Sequence, residues 1–289
     1  MLSRLLTVRR GSIAVLSIVS LYLLPAQGSR SLSPRPIPKT QRAVIPAVHC
    51  SLFTVHCLSS WQVPLKPDSS ETANALLAAK AIDGCTLSNN AVFSFNTAVG
   101  PRTAERGYQA GAMFLNGQPV NGVGGGVCYV STALYNAALE AGLPIITRSP
   151  HSGIVRYAPP GRDAAVASDM DLQFKNDTGA ELTIHAIADD NTLTVSIYGT
   201  RAPARQVQVI AGDYRPLPAT QTTLQDPMMK GFDPIVAQTC QDGYECTIVR
   251  KIIQDGKVAR RDLVSHDIHP ARDGLRLVAM DVPLSEPDT

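Results

Sequence analysis

Apolar residues recur at helical spacing in two stretches of the chain. In "PDSSETANALLAAKAIDG" (67–84), Ala73, Leu76, Leu77 and Ala81 repeat at helical intervals, Asp68 or Ser69 can cap the start, and Gly84 stops it. From Cys128, Val130, Ala133, Leu134, Ala137, Ala138 and Ala141 recur at three and four, and Gly142 and Pro144 end the run. Between these helices lie the short apolar segment "AVFSFNTAVG" and the polar loop "PRTAERGY". The stretch "YQAGAMFLNGQPVNGV" then reads as a hairpin turning at Asn116-Gly117. Beyond residue 170 the period drops to two. "DLQFKN", "AELTIHAIA", "TLTVSIYG" and "QVQVIAG" alternate as strands do, and "ECTIVRKIIQDGKVARRDLVSH" predicts a hairpin around Asp255-Gly256. A helix-bearing first half followed by a strand-rich, mostly antiparallel second half predicts an α+β fold.

The N-terminus follows another pattern. Arg4, Arg9 and Arg10 precede the uncharged apolar run Ser12–Leu24, and small residues follow at Ala26 and Gly28, as in an export signal. The run is shorter than the roughly 20 residues of a spanning helix. Residues 1–28 are therefore read as a signal peptide or an N-terminal anchor that can tether the chain to a membrane. Residues 29–66 begin with a proline-rich, basic, acid-free stretch and read as a tether. A core domain over 67–200 and a β-rich extension over 201–289 complete the division.

Charge then excludes one class of partner. The formal net charge of +2 comes from 26 basic and 24 acidic residues, and the first 28 residues hold three of the basic ones and no acid, leaving 23 against 24. A near-neutral mature chain offers no electrostatic case for nucleic acid. Export also changes how the six cysteines are read, because oxidising compartments favour disulfides. Cys50 and Cys57 are close in sequence, and a tight loop around Gly243 would set Cys240 opposite Cys246. Cys85 and Cys128 remain, either paired with each other or leaving one as a working thiol.

The segment "GVGGGVCYVSTALYN" carries the sharpest candidate chemistry. Glycines reach positive φ and let a ligand approach closely, and the unpaired N–H groups and dipole at a helix start favour an anion. A thiolate at Cys128 would be stabilised there, and the same N–H groups could hold an oxyanion. The base such a thiol needs is best sought at His151, in a Pro/Ser/Gly loop after the helix, with Asp163 to orient the imidazole. Gly125, Gly126, Tyr129 and Ser131 join Arg148 and Arg162 as substrate-side candidates, the two arginines as holders of a carboxylate. His185 alternates within a strand. His266 and His269 with Asp267 form a lone cluster without metal-ligand spacing, so neither a metal site nor a cofactor is expected.

These pieces, in order, resemble the VanW family: F-S-F-N, V-G-P-R-T, G-G-G-x-C before a helix with L-Y-N-A, R-x-x-H-S, and G-R-D-A, over about residues 70–200. The tail through "DGYECTIVRKIIQDG" also resembles regions that follow this domain. The family usually carries Gln where Tyr129 stands. The resemblance implies an exported protein of the periplasm or cell envelope, with peptidoglycan stem peptides as partners. It implies cysteine-dependent L,D-transpeptidation, with Cys128 as nucleophile and His151 and Asp163 beside it. Two other functions stay open: a noncatalytic domain that binds peptidoglycan or a partner protein, and a cysteine carboxypeptidase or amidase on the same substrate.

Overall fold

The computed structural model describes residues 55–115, 117–189, 191–200 and 205–282. The signal segment, most of the expected tether and Cys50 lie outside these residues.

The chain first runs through β1 (Val55–Pro64), α1 (Ser70–Ile82), β2 (Thr86–Leu87), β3 (Val92–Ser94) and α2 (Phe95–Val99). It continues through β4 (Ala110–Leu115), β5 (Gln118–Val123), α3 (Cys128–Glu140), β6 (Ile145–Thr147), β7 (Gln173–Lys175), β8 (Leu182–Ala188) and β9 (Thr192–Thr200). Strands β1, β9, β8 and β2 form one antiparallel sheet in that order. β1 occupies the last part of the stretch expected to be a tether. The prolines and basic residues that suggest a linker thin out before it, and Val63 and Leu65 turn inward to be buried while Trp61 packs on the core.

Helix α1 starts where its cap predicts, since Ser69 Oγ accepts from the Thr72 N–H at 3.2 Å. It packs on β8, and α3 packs across β1 and β9. Every residue of α3 from Val130 to Leu139 is buried. Its small side chains, Ser131, Thr132, Ala133, Ala137 and Ala138, let strands and loops approach the helix closely on all sides. Ser59 Oγ, for instance, donates to the Ala137 carbonyl at 2.7 Å. A helix enclosed in this way is a rigid base for whatever stands at its first residue.

The second half contains β10 (Arg205–Leu217), β11 (Gln221–Gln225), β12 (Ile235–Gln238), β13 (Gly243–Gln254), β14 (Lys257–His269) and β15 (Gly274–Val278). β13 is the centre of a sheet ordered β10-β13-β14, and β15 is the centre of another ordered β11-β15-β12. The β13–β14 hairpin turns at Asp255 and Gly256, with φ of 49° and 74°, the left-handed pair that a tight two-residue connection requires. This half shares the core of the first. Ile248 belongs to the same apolar cluster as α3, and Arg250 Nη1 donates to the Leu143 carbonyl at 2.6 Å. The result is the α+β, strand-rich fold expected, with residues 205–282 packed onto the helical half.

Candidate active site

Cys128 is the first residue of α3, and the turn before it is set by packing. Gly124 and Gly126 adopt φ of 88° and 97°. A Cβ on Gly126 would lie 2.4 Å from the Glu71 carbonyl oxygen, and one on Gly125 would lie 2.3 Å from Gly111 backbone. Only glycine lets this loop pass between α1 and β4. The loop is held by Asn74, whose Nδ2 donates to the Gly125 and Gln109 carbonyls at 2.8 Å each. Of the amides at the helix start, Tyr129 N–H donates to Gly126 and Val130 N–H to Val127, each at 3.0 Å.

His151 and Asp163 meet beside this cysteine. His151 Nδ1 lies 2.6 Å from Asp163 Oδ2, and the His151 backbone N–H donates to the same oxygen at 2.8 Å. The other ring nitrogen, Nε2, is 3.1 Å from the Tyr157 hydroxyl, while the Cys128 thiol, which interacts electrostatically with the ring, donates to the Val166 carbonyl at 3.7 Å. Burial works against the imidazolium, but the interactions with Asp163 and Cys128 outweigh it and lift His151 to about 9. Burial likewise pushes the Cys128 thiol up, yet His151 and the charge of Arg102 bring it below its ordinary value. Asp163 is buried as well, and His151 and Arg148 still hold it down at about 2. The three groups thus favour a thiolate, an imidazolium and a carboxylate in a row.

The arginines and Ser131 have other partners. Arg148 Nε donates to the Asp163 carbonyl at 2.7 Å, and its Nη2 reaches Asp163 Oδ1 at 2.9 Å. Its Nη1 reaches both oxygens of Asp267, at 2.6 and 2.7 Å. Arg162 bonds Glu140 at 2.6 Å and also Asn136, and it stacks on Trp61. Both guanidiniums expected to meet a substrate carboxylate are therefore occupied. Ser131 is buried and donates to the Ala164 carbonyl at 2.7 Å, while Thr132 Oγ1 accepts from the Ala164 N–H at 3.0 Å. These bonds pin the segment after Asp163 to α3. Tyr129 stays half-buried, with its ring edge-on to Tyr157 at 4.5 Å between centroids.

Three residues at the site were not singled out from sequence. Tyr157 touches His151. Arg102, in the loop after α2, acts electrostatically on Cys128, and its Nη2 donates to Asn96 Oδ1 at 2.7 Å. Among the described residues Arg102 joins no ion pair. In the sequence Asp267 stands only in a nonspecific histidine cluster, whereas Arg102 has a signal in the R-T pair of V-G-P-R-T.

Among the described residues no cysteine is paired, and Cys50 lies outside them. Cys57, Cys85, Cys128, Cys240 and Cys246 are all free thiols. No hairpin turns at Gly243. That residue instead opens β13, because a Cβ there would lie 2.2 Å from the His269 carbonyl oxygen. Cys246 is consequently carried inward toward Gly161, and Cys240 sits beside Gly274 near β15. Cys57 is exposed on β1, and Cys85 bonds the Ala81 carbonyl, so Cys128 is not tied to Cys85. His266 bonds Glu245 and His269 stacks on Tyr244, and no metal-holding cluster exists among the described residues. No helix among them is long and apolar enough to cross a membrane.

Residues 70–198 match the family model described as VanW like protein. The chain is 39% identical over 134 residues to the uncharacterized protein YoaR of Bacillus subtilis (strain 168), covering 46% of this chain and 44% of that protein. It is 29% identical over 147 residues to the vancomycin B-type resistance protein VanW of Enterococcus faecalis (strain ATCC 700802 / V583), covering 48% and 53%. The chain thus spans about half the length of the curated relatives it matches. Among solved structures, an IgA1 protease G5 domain aligns with 28% of this chain and 94% of its own, at 14% identity and a TM-score of 0.23. The G5 domain of HP0197 aligns with 26% and 97%, at 16% identity and a TM-score of 0.17. The ordered motifs, the glycine turn before Cys128 and the match over 70–198 make this part of the chain similar to the VanW family.

Proposed function

We propose that this chain is an exported cell-envelope protein that carries out cysteine-dependent acyl transfer on peptidoglycan stem peptides. The observation supporting this most strongly is the row Cys128, His151, Asp163, with His151 fixed by two bonds to one carboxylate oxygen at 2.6 and 2.8 Å. That arrangement sets the tautomer and orientation of a general base beside a nucleophile.

In the reaction, the Cys128 thiolate attacks the carbonyl carbon of the third stem residue. A C–S bond forms, and the C–N bond to the terminal D-Ala breaks. The His151 imidazolium gives its proton to the departing amine. A stem-peptide amine then attacks the thioester, His151 takes the proton, and the thiolate leaves. Water in place of that amine makes the protein a carboxypeptidase. With the Tyr129 and Val130 N–H groups engaged within the turn, the oxyanion falls to the Cys128 N–H and Arg102. Carboxylate recognition falls to Arg102 as well, because Arg148 and Arg162 are bound to acids of the chain itself.

The test is incubation of the protein with tetrapeptide muropeptides, followed by mass spectrometry. A thioester on Cys128, absent in Cys128→Ala, is expected, and unchanged muropeptides with an unmodified Cys128 would sink the reading. One observation favours the noncatalytic alternative. The Tyr129 and Tyr157 rings pack edge-on beside a half-buried Cys128, at the place where the family usually carries Gln. Saturable muropeptide binding unaffected by Cys128→Ala, with no turnover, would establish that binding function instead.

A further inference from the structure

The matched family region ends at residue 198, yet the hydrogen-bonded chain from His151 does not end there. It continues through Asp163 to Arg148 and from Arg148 to Asp267 on β14. Side chains of Arg148, Asp163 and Asp267 retain only 5%, 2% and 4% of their exposure. Arg148 divides its donors between two residues, with Nε on the Asp163 backbone carbonyl, Nη2 on the Asp163 carboxylate and Nη1 on both oxygens of Asp267. A buried guanidinium with a single acid would leave donors unpaired in a low-dielectric interior, where such groups are costly and free to reorient. Asp267 removes that freedom. Its place is fixed by the β13–β14 ladder, where it lies opposite Cys246, and Ser265 lies beside it on the same strand.

We infer that Asp267 is a positioning residue: the C-terminal sheet completes the site by clamping Arg148, which holds Asp163 and thereby His151 in line with Cys128. The β10-β13-β14 sheet is then part of the reactive centre. This rests on the proposed thiol chemistry, and the experiment separates the two. The titratable and charged groups around His151 are Cys128 and Tyr129 from α3, Arg102 from the loop after α2, Arg148 after β6, and Tyr157 and Asp163 from its own loop. Tyr244 on β13 and Asp267 and His269 on β14 face the same cluster from the other side.

The measurement is the pH dependence of Cys128 alkylation by iodoacetamide in the full chain, followed by peptide mapping, with the NMR titration of His151 alongside. Wild type should show a Cys128 midpoint below that of an ordinary thiol. An ordinary midpoint in wild type would overturn the thiol reading itself, and the clamp with it. In Asp267→Asn the midpoint should rise by about one unit and the His151 titration should fall by a similar amount, as expected when a charge partner is lost. Asp267→Glu should recover most of both shifts. Should Asp267→Asn not fold, the paired variant Arg148→Met with Asp267→Leu removes both buried charges and still breaks the clamp. It should show the same raised midpoint. A wild-type midpoint and a wild-type His151 titration in a folded Asp267→Asn or paired variant would overturn the inference while leaving the thiol reading standing.

Discussion

The Tyr157 hydroxyl lies 3.1 Å from His151 Nε2, the ring nitrogen that Asp163 leaves open. Burial keeps this phenol protonated far above its usual range. It therefore competes with Cys128 for Nε2, as acceptor when His151 is charged and as donor when it is neutral. Tyr157→Phe keeps the ring contact with Tyr129 and removes the competitor. Cys128 alkylation at pH 6 to 7 should then speed up about 2- to 10-fold, the worth of one hydrogen bond of about 0.5–1.5 kcal/mol. Stopped-flow alkylation with peptide mapping checks it, and an unchanged or slower rate would show that Tyr157 assists rather than competes.

Asp163 holds His151 on one side and Arg148 on the other, so Asp163→Asn leaves one buried cation short of a partner. A loss of about 3–5 kcal/mol is expected, as for other broken buried pairs. Urea unfolding at neutral pH measures it. The His151 titration should also fall from about 9 toward or below the ordinary imidazole value, because the largest favourable contribution to its protonation is removed.

The same charges predict an unusual stability profile. His151, raised to about 9, contributes stability that is full below the unfolded value near 6.5 and fades as pH rises through 9. Cys128, lowered in the fold, contributes in the opposite sense: its stabilisation is complete above the unfolded thiol value and is lost as pH falls through its folded one. Between pH 6.5 and 9 the native state holds more proton on His151 than the unfolded chain, and the lowered Cys128 thiol works in the opposite sense. The two slopes oppose each other, and Tm should fall less steeply with pH than His151 alone would make it. Cys128→Ala removes one slope and leaves Asp163 to hold His151 charged, so its Tm should decline more steeply across the window. Calorimetry of both proteins decides it, and a parallel decline in the two would mean that no thiolate–imidazolium pair forms.

Gly126 tests the turn rather than the chemistry. Its φ of 97° disfavours any L side chain, and an added Cβ would meet Glu71 backbone at 2.4 Å. Gly126→Ala should cost about 1–3 kcal/mol, within the range for strained backbone positions, and should shift α3 against α1. The expected readout is a lower Tm with slowed Cys128 alkylation. Gly179→Ala, at an equally positive φ of 85° but in open space, should cost less and leave alkylation unchanged.

What could be read from sequence follows the reach of each interaction. The period of α3 and its glycine turn are local, and both stand where periodicity puts them. His151 and Asp163 are 12 positions apart within one loop, close enough for chain order to bring them together. Asp267 is 119 positions from Arg148, and nothing in "SHDIHP" announces a buried partner across the fold. Arg148 and Arg162 were legible as cations but not as occupied ones, because pairing depends on tertiary neighbours. Ser131 looked like a site residue from its place one turn after Cys128. It faces away because the helix must fasten Ala164 on that side. The Cys240–Cys246 pairing failed for a similar reason, since Gly243 serves a close strand approach rather than a turn.

Arg102 supplies the last prediction. It is the cation beside Cys128 with no ion pair among the described residues, and its charge helps hold the thiol below its ordinary value. Replacing it with glutamine should raise the Cys128 midpoint, which slows every alkylating agent at neutral pH. An anionic reagent should suffer twice, because it also loses a positive charge near its path. The ratio of iodoacetate to iodoacetamide rates separates the two effects, since the thiolate fraction cancels from it. That ratio should fall several-fold in Arg102→Gln at low salt, and the difference should shrink as salt screens the charge. A ratio equal to that of wild type would place Arg102 outside the path of an anionic ligand and remove it as the anchor for a substrate carboxylate.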